Sequence, residues 1–115
     1  MKDCLRNSVN TCALQAFRLT TNEQKYKFAT SLGIEFESTY LPDSYSIGTF
    51  NAITPVILGG AFSAFGNGGY YTEPYSFTKL VYRETDETYE QDIERTRVMK
   101  PQTAYIISSV LVGAT

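Results

Sequence analysis

The stretch Thr54 to Pro74, TPVILGGAFSAFGNGGYYTEP, decides how the rest of this 115-residue chain is read. Thr54 can accept a hydrogen bond from a first-turn amide, and Pro55 follows with its φ already at a helical value, so a helix begins here. Ile57, Leu58, Phe62 and Phe65 recur at helical spacing, while Gly59, Gly60, Ala61 and Ala64 keep part of the surface small. That pattern predicts a buried helix that another element approaches closely. Gly66, Asn67, Gly68 and Gly69 end it, being the residues most at ease at positive φ, and Tyr70 to Pro74 continues as an extended segment.

Downstream of this helix, Tyr75 to Arg83 alternates as a strand, Glu84 to Glu87 forms a turn, and Thr88 to Ile93 returns to complete a hairpin. Its acidic residues, Glu84, Asp86, Glu87, Glu90, Asp92 and Glu94, read as a solvated edge rather than a metal site, because no second ligand type accompanies them. Pro101 opens a last helix with Ala104, Ile107, Val110 and Leu111 on one face.

Upstream, residues 2 to 19 form two helical pieces joined by a turn at Arg6 to Asn10, where Asn7, Ser8 and Asn10 compete for backbone hydrogen bonds. Asn10 or Thr11 is expected to cap the second piece. A further helix starts between Thr20 and Glu23, capped by Thr21 or Asn22, and runs to Ser31 with Tyr26, Phe28, Ala29 and Leu32 inward and Gly33 as its stop. Residues 34 to 51 show no period and are expected to be a long loop, with a strand fragment at most, that serves function or wraps another element. The architecture predicted is α+β, mostly helical with one β-hairpin. A single hairpin offers little sheet for these helices to cover, and the chain closes on the apolar VLVGAT, so an internal fragment of a larger domain is expected.

Composition narrows the function. With 43% hydrophobic and 19% charged residues the chain is an ordinary globular domain, and a net charge of −2 leaves no basic surface for nucleic acid. The apolar run Ala52 to Ala64 is interrupted and falls short of the roughly 20 residues that cross a bilayer. Lys2, Asp3 and Arg6 occupy the place of a signal peptide's apolar core, so any export signal is expected outside this chain. The absence of histidine excludes a histidine triad and, with only two cysteines, a zinc site. On one continuous helix Cys4 and Cys12 would lie about 12 Å apart, too far to bridge, and they are expected to be free. Acyl-transfer chemistry would therefore have to use Ser and Lys.

The candidate for chemistry is Ser8-Val9-Asn10. A hydroxyl and a carboxamide two residues apart in a turn can face one cleft, the first as a proton relay and the second as a two-way hydrogen-bonding group. On the residues alone S-x-N is a common pattern, and a helix-capping turn is the plainer reading.

A family resemblance changes the weight of that motif. LRNSVNTCAL resembles the ALxxSxNxxAVxL segment of class A penicillin-binding proteins. IGTFNAITP resembles their LGxFEVTP with one extra residue, and the Thr54 to Pro74 stretch resembles TPLxMAxAYxxFANGGxxxxP. SLGIEF, PYSFTKLVYRETDE and RVMKPQTAYIISSVLVGAT also resemble family segments in the right order, so nearly the whole chain is covered. The resemblance implies residues 1 to 115 of a partial transpeptidase domain with the penicillin-binding protein and β-lactamase-like fold, running from the S-x-N motif to just before the K-T-G strand. It implies acyl transfer from a D-alanyl-D-alanine stem peptide through an acyl-serine. Ser8 would be the catalytic proton relay, and Asn10 would bind substrate and orient a lysine. It also implies β-lactams and peptidoglycan stem peptide as partners, no cofactor, no metal, and residence at the extracytoplasmic face of the bacterial membrane.

Departures from the family pattern are equally specific. No K-T-G is present, and the single S-x-x-K, Ser76 to Lys79, lies in the predicted strand after S-x-N, where side chains three apart point to opposite faces. The isolated chain is therefore expected to be inactive and, with faces left uncovered, to self-associate. Gly59-Gly60 stands where the family has Met-Ala or similar, costing about 1 kcal/mol per glycine relative to alanine. Lys100 stands where the family often has a capping Ser. The competing reading is a noncatalytic binding or structural module that keeps the transpeptidase scaffold but does no acylation, or that docks a partner through tyrosine-rich loops, the chain having nine tyrosines, among them Tyr40, Tyr45, Tyr70 and Tyr71.

Overall fold

The computed structural model describes residues 2–48 and 53–114. Among these residues five helices are formed: α1 (Lys2–Arg6), α2 (Asn10–Arg18), α3 (Asn22–Ser31), α4 (Pro55–Gly66) and α5 (Pro101–Val112), with a 3-10 helix at Asp43–Ile47 between α3 and α4. Four three-residue strands, β1 (Tyr70–Thr72), β2 (Lys79–Val81), β3 (Thr88–Glu90) and β4 (Arg95–Arg97), lie between α4 and α5. This is the expected mostly helical α+β arrangement.

Local chemistry sets most of the helix ends. Thr54 accepts from the Ile57 amide at 3.2 Å with Pro55 in the first turn, as the sequence predicts. Thr21 forms a capping box with Gln24 at the start of α3, each side chain accepting from the other's backbone amide. At α2 the expectation fails: Val9 is the N-cap and makes no side-chain cap, and neither Asn10 nor Thr11 serves. Lys100 leaves α5 uncapped. Lys100→Ser is expected to stabilise the fold by about 1 kcal/mol through a new cap, read as a rise in thermal midpoint.

The hairpin is longer than its central strands. β2 pairs antiparallel with β3, Leu80 opposite Tyr89, and an outer ladder pairs β1 with β4, Tyr71 opposite Thr96. The two ladders are nested arms of one hairpin, separated by residues 73–78 on one side and 91–94 on the other. Sequence alternation located the inner pair. Of the outer pair, the sequence marks β1 only as part of an extended segment and gives no strand signal for β4, because three residues are too few to show a period of two.

The core comprises Leu32, Ala61, Ala64, Met99 and Ala104, with Ile34, Phe65, Tyr71 and Val98 packed on it. On α4 the small residues Ala61 and Ala64 face the core, as the predicted close approach requires, but the helix is not buried all round: Phe62 is 50% and Val56 66% exposed. The close neighbours of α4 are α5 and β1. Ser108 Oγ donates to the Phe65 carbonyl at 3.1 Å, and Pro74 lies over Gly60, where a methyl would meet its Cγ at 2.7 Å. Gly59 faces open space, so only the second glycine of the pair is required by packing. Phe28, expected inward, is 41% exposed. On α5 the predicted face holds: Ala104 is buried, and Ile107, Val110 and Leu111 are half-buried.

The segment after α3 wraps, as a loop of its length is expected to. The Asn22 side chain donates to the Thr39 carbonyl and accepts from the Leu41 amide, both at 2.7 Å, placing Leu41 at 5% exposure. Phe36 lies against Tyr26 and Tyr45, with ring centroids 6.2 and 6.0 Å apart. No strand forms among its described residues; residues 49–51 lie outside them.

Candidate functional site

Ser8 and Asn10 lie where α1 gives way to α2, and the backbone there follows one hydrogen-bonding scheme. The Ser8 amide donates to the Leu5 carbonyl at 3.2 Å and the Val9 amide to the Cys4 carbonyl at 2.9 Å. These are the paired bonds of a Schellman helix end, which requires a left-handed residue between helix and exit. That residue is Ser8, at φ 55. The same end closes α3 and α4, where Ile34 donates to Ala29 and Gly69 to Ala64, and there the left-handed residues are Gly33 (φ 81) and Gly68 (φ 67). Serine thus occupies a slot that glycine fills elsewhere in the chain, at a cost of about 1–2 kcal/mol.

Both side chains are exposed, and among the described residues neither makes a hydrogen bond within the chain. They line one cleft of about 300 Å³ with Cys4, Cys12, Ser46 and Ile47. Ser46 and Ile47 come from the 3-10 helix, which packs on α2. Sequence reasoning assigned no cleft residue to that loop, and its lack of period left no local signal for one.

The cysteines require a correction. Cys4 and Cys12 form a disulfide, with their Cα atoms 6.0 Å apart. The estimate for one continuous helix fails because the left-handed turn at Ser8 breaks the helix, so α2 does not continue α1 and Cys12 comes close to Cys4. The break between the two helical pieces, itself legible, was the signal that could have found the bridge.

Arg18 holds the cleft's second wall in place: its Nε and Nη2 donate to Asp43 Oδ2 at 3.1 and 2.7 Å. The Arg18 hydrogen bonds, opposed by desolvation and assisted by the charges of Arg18 and Lys25, hold the Asp43 carboxyl below the usual carboxylate range. A carboxyl lowered in the folded state contributes stability above its unfolded pKa and loses it as pH falls through the folded one. NMR titration of Asp43 should therefore show a depressed midpoint that returns to the ordinary range in Arg18→Ala. Because both groups are exposed, added salt should shrink the difference.

Away from the cleft, the Tyr71 ring lies against Gly33 and Gly60, and burial pushes its phenol up, with the Glu73 carboxylate adding to the shift. Tyr70 lies under the Arg95 and Arg97 guanidinium groups, 4.5 and 4.2 Å from its ring centre. Tyr45, Tyr70 and Tyr71 are half-buried and so are engaged in packing, whereas Tyr40, Tyr75, Tyr82, Tyr89 and Tyr105 are exposed. The acidic residues of the hairpin are all exposed, and the described residues include no group of three or more His, Cys, Asp or Glu placed to hold a metal ion. Ser76 precedes β2 in a bend and Lys79 opens that strand, both exposed and remote in sequence from the cleft. No helix among the described residues is long and apolar enough to cross a membrane.

Comparison with known proteins gives one consistent family. The model of the penicillin-binding protein transpeptidase domain matches residues 1–115. Penicillin-binding protein 1A/1B of Bacillus subtilis (strain 168) is 32% identical over 117 aligned residues, which take in 99% of this chain. Penicillin-binding protein 1A of Clostridium novyi (strain NT) is 28% identical over 98% of the chain, and that of Pseudomonas aeruginosa is 27% identical over 85%. The chain spans about 13% of the length of the first two relatives.

Proposed function

The chain belongs to the transpeptidase-domain family of penicillin-binding proteins, and from that membership we propose that it supplies the second of three active-site motifs, Ser8-Val9-Asn10, to a peptidoglycan D-alanyl-D-alanine transpeptidase. The observation that carries this reading is the turn itself. It holds a non-glycine residue at φ 55 while two unpaired polar side chains line one cleft, and backbone strain of this kind collects at functional sites.

In the reaction proposed, a serine supplied by a separate S-x-x-K motif attacks the carbonyl of the D-alanyl-D-alanine bond. The peptide bond breaks, an ester forms, and the terminal D-alanine leaves as an amine that must gain a proton. Ser8 Oγ, both donor and acceptor, passes that proton from the general base to the leaving nitrogen. The Asn10 carboxamide accepts from the lysine ammonium and donates to the substrate carbonyl, fixing both relative to the attack. A second stem-peptide amine then takes the acyl group, and β-lactams enter as acylating mimics. The Cys4–Cys12 bridge supports an extracytoplasmic location, since disulfides persist in oxidising compartments. The exposed apolar side chains of α4 and α5, Phe62 and Ile106 among them, support self-association of the isolated chain.

A fluorescent penicillin tests the assignment. The full-length protein carrying this segment should be labelled covalently at a serine outside residues 1–115, and the 115-residue chain alone should take no label. Label on a serine of this chain would overturn the division of motifs. A full-length protein that takes none would favour the noncatalytic module.

A further inference from the structure

We propose that Cys4 and Cys12 are positioning residues: their disulfide holds the Ser8 to Asn10 turn in the conformation that presents both side chains to the cleft. The proposal rests on the functional reading above and adds to it the device that keeps the turn in place.

The turn needs such a device. Ser8 is held in a backbone region that serine disfavours, and α1, which leads into it, has five residues and buries none of them. A single helical turn has little stability of its own. Two backbone hydrogen bonds close the turn, and one of them ends on the carbonyl of Cys4. The same residue is bonded through sulfur to Cys12 on α2. Ser8 and Asn10 therefore lie inside a covalent ring whose one end is also the acceptor for Val9. When the sulfur bond is cut, α1 can unwind, Val9 loses its acceptor, and Ser8 relaxes to negative φ, carrying its hydroxyl away from the carboxamide of Asn10. Both cysteines line the same cleft, so the bridge stands beside the groups it positions.

Reduction by a water-soluble phosphine supplies the two electrons that break the S–S bond; one water gives its two protons to the sulfurs and its oxygen to the phosphine, which leaves as the oxide. In the full-length protein, reduction is expected to raise amide exchange at Val9 by about tenfold or more while leaving Ala104 in α5 unchanged. Acylation by a fluorescent penicillin should slow by about tenfold, because the relay is no longer held in place. The Cys4→Ser/Cys12→Ser variant should show both changes without reductant and no response to it. If that variant fails to fold, reduction of the unaltered protein carries the test. In a Ser8→Ala/Asn10→Ala background, reduction should leave the residual rate unchanged, since the bridge acts through those two side chains. Unchanged Val9 exchange on reduction overturns the proposal, as does a loss of rate that persists in that background. An oxidised full-length protein that takes no penicillin refutes the transpeptidase reading instead, and Val9 exchange still decides whether the bridge holds the turn.

Discussion

Ser8→Ala in the full-length protein is expected to slow acylation by a fluorescent penicillin by about a hundredfold, in the range for loss of a positioned proton-transfer group. The fold should barely notice. Among the described residues the Ser8 side chain makes no hydrogen bond; it is exposed and occupies a left-handed position that costs alanine as much as serine. Ser8→Gly separates the two roles of the residue. Glycine removes the hydroxyl and relieves the backbone, so this variant should react as slowly as Ser8→Ala while gaining about 1 kcal/mol of stability. An unchanged acylation rate in both variants would reduce Ser8 to a helix-terminating residue.

The largest loss of stability is expected at Gly69→Ala. Gly69 has φ 92, and its carbonyl accepts from both Val98 and Met99, at 2.9 and 3.3 Å, tying the exit of α4 to the strand that leads into α5. A methyl there would run into the Met99 carbonyl oxygen and meet Met99 Cγ at 2.9 Å. The backbone cannot move aside without breaking those bonds, and Met99 belongs to the core. Left-handed strain and overpacking together should cost about 3 kcal/mol or more in a urea melt. Gly68→Ala is the control. It has the same sign of φ but faces open space, so it should cost about 1 kcal/mol. Equal losses in the two variants would show that backbone conformation, and not the close approach of Met99, governs this site.

What the sequence disclosed follows from how far each signal reaches along the chain. The ends of α3 and α4 were legible because Thr21, Thr54, Pro55 and the glycines act within a few residues of themselves. The break at Ser8 was legible for the same reason. Its consequence was not: that Cys4 and Cys12 meet depends on the direction in which α2 leaves the turn, and a spacing rule for a straight helix cannot supply that. The close approach at the small residues of α4 was legible, whereas the burial expected of the whole helix is not met, because α5 and β1 come close along the face of Ala61 and Ala64 and leave Val56, Leu58 and Phe62 exposed. Ser46 and Ile47 reached the candidate site through Asn22 and Arg18, contacts between residues far apart in sequence that leave no periodic trace.

The nested hairpin divides its labour unevenly. The outer ladder leads directly into the Gly69 and Met99 contact, whereas every residue of β2 and β3 is exposed and the arms between the ladders differ in length. Doubling a loop's length costs only about 0.6 kcal/mol in closure entropy. Residues can therefore be gained or lost at the tip without disturbing the packing of α4 on α5. The tip is a place where a new contact could evolve at little risk to the fold.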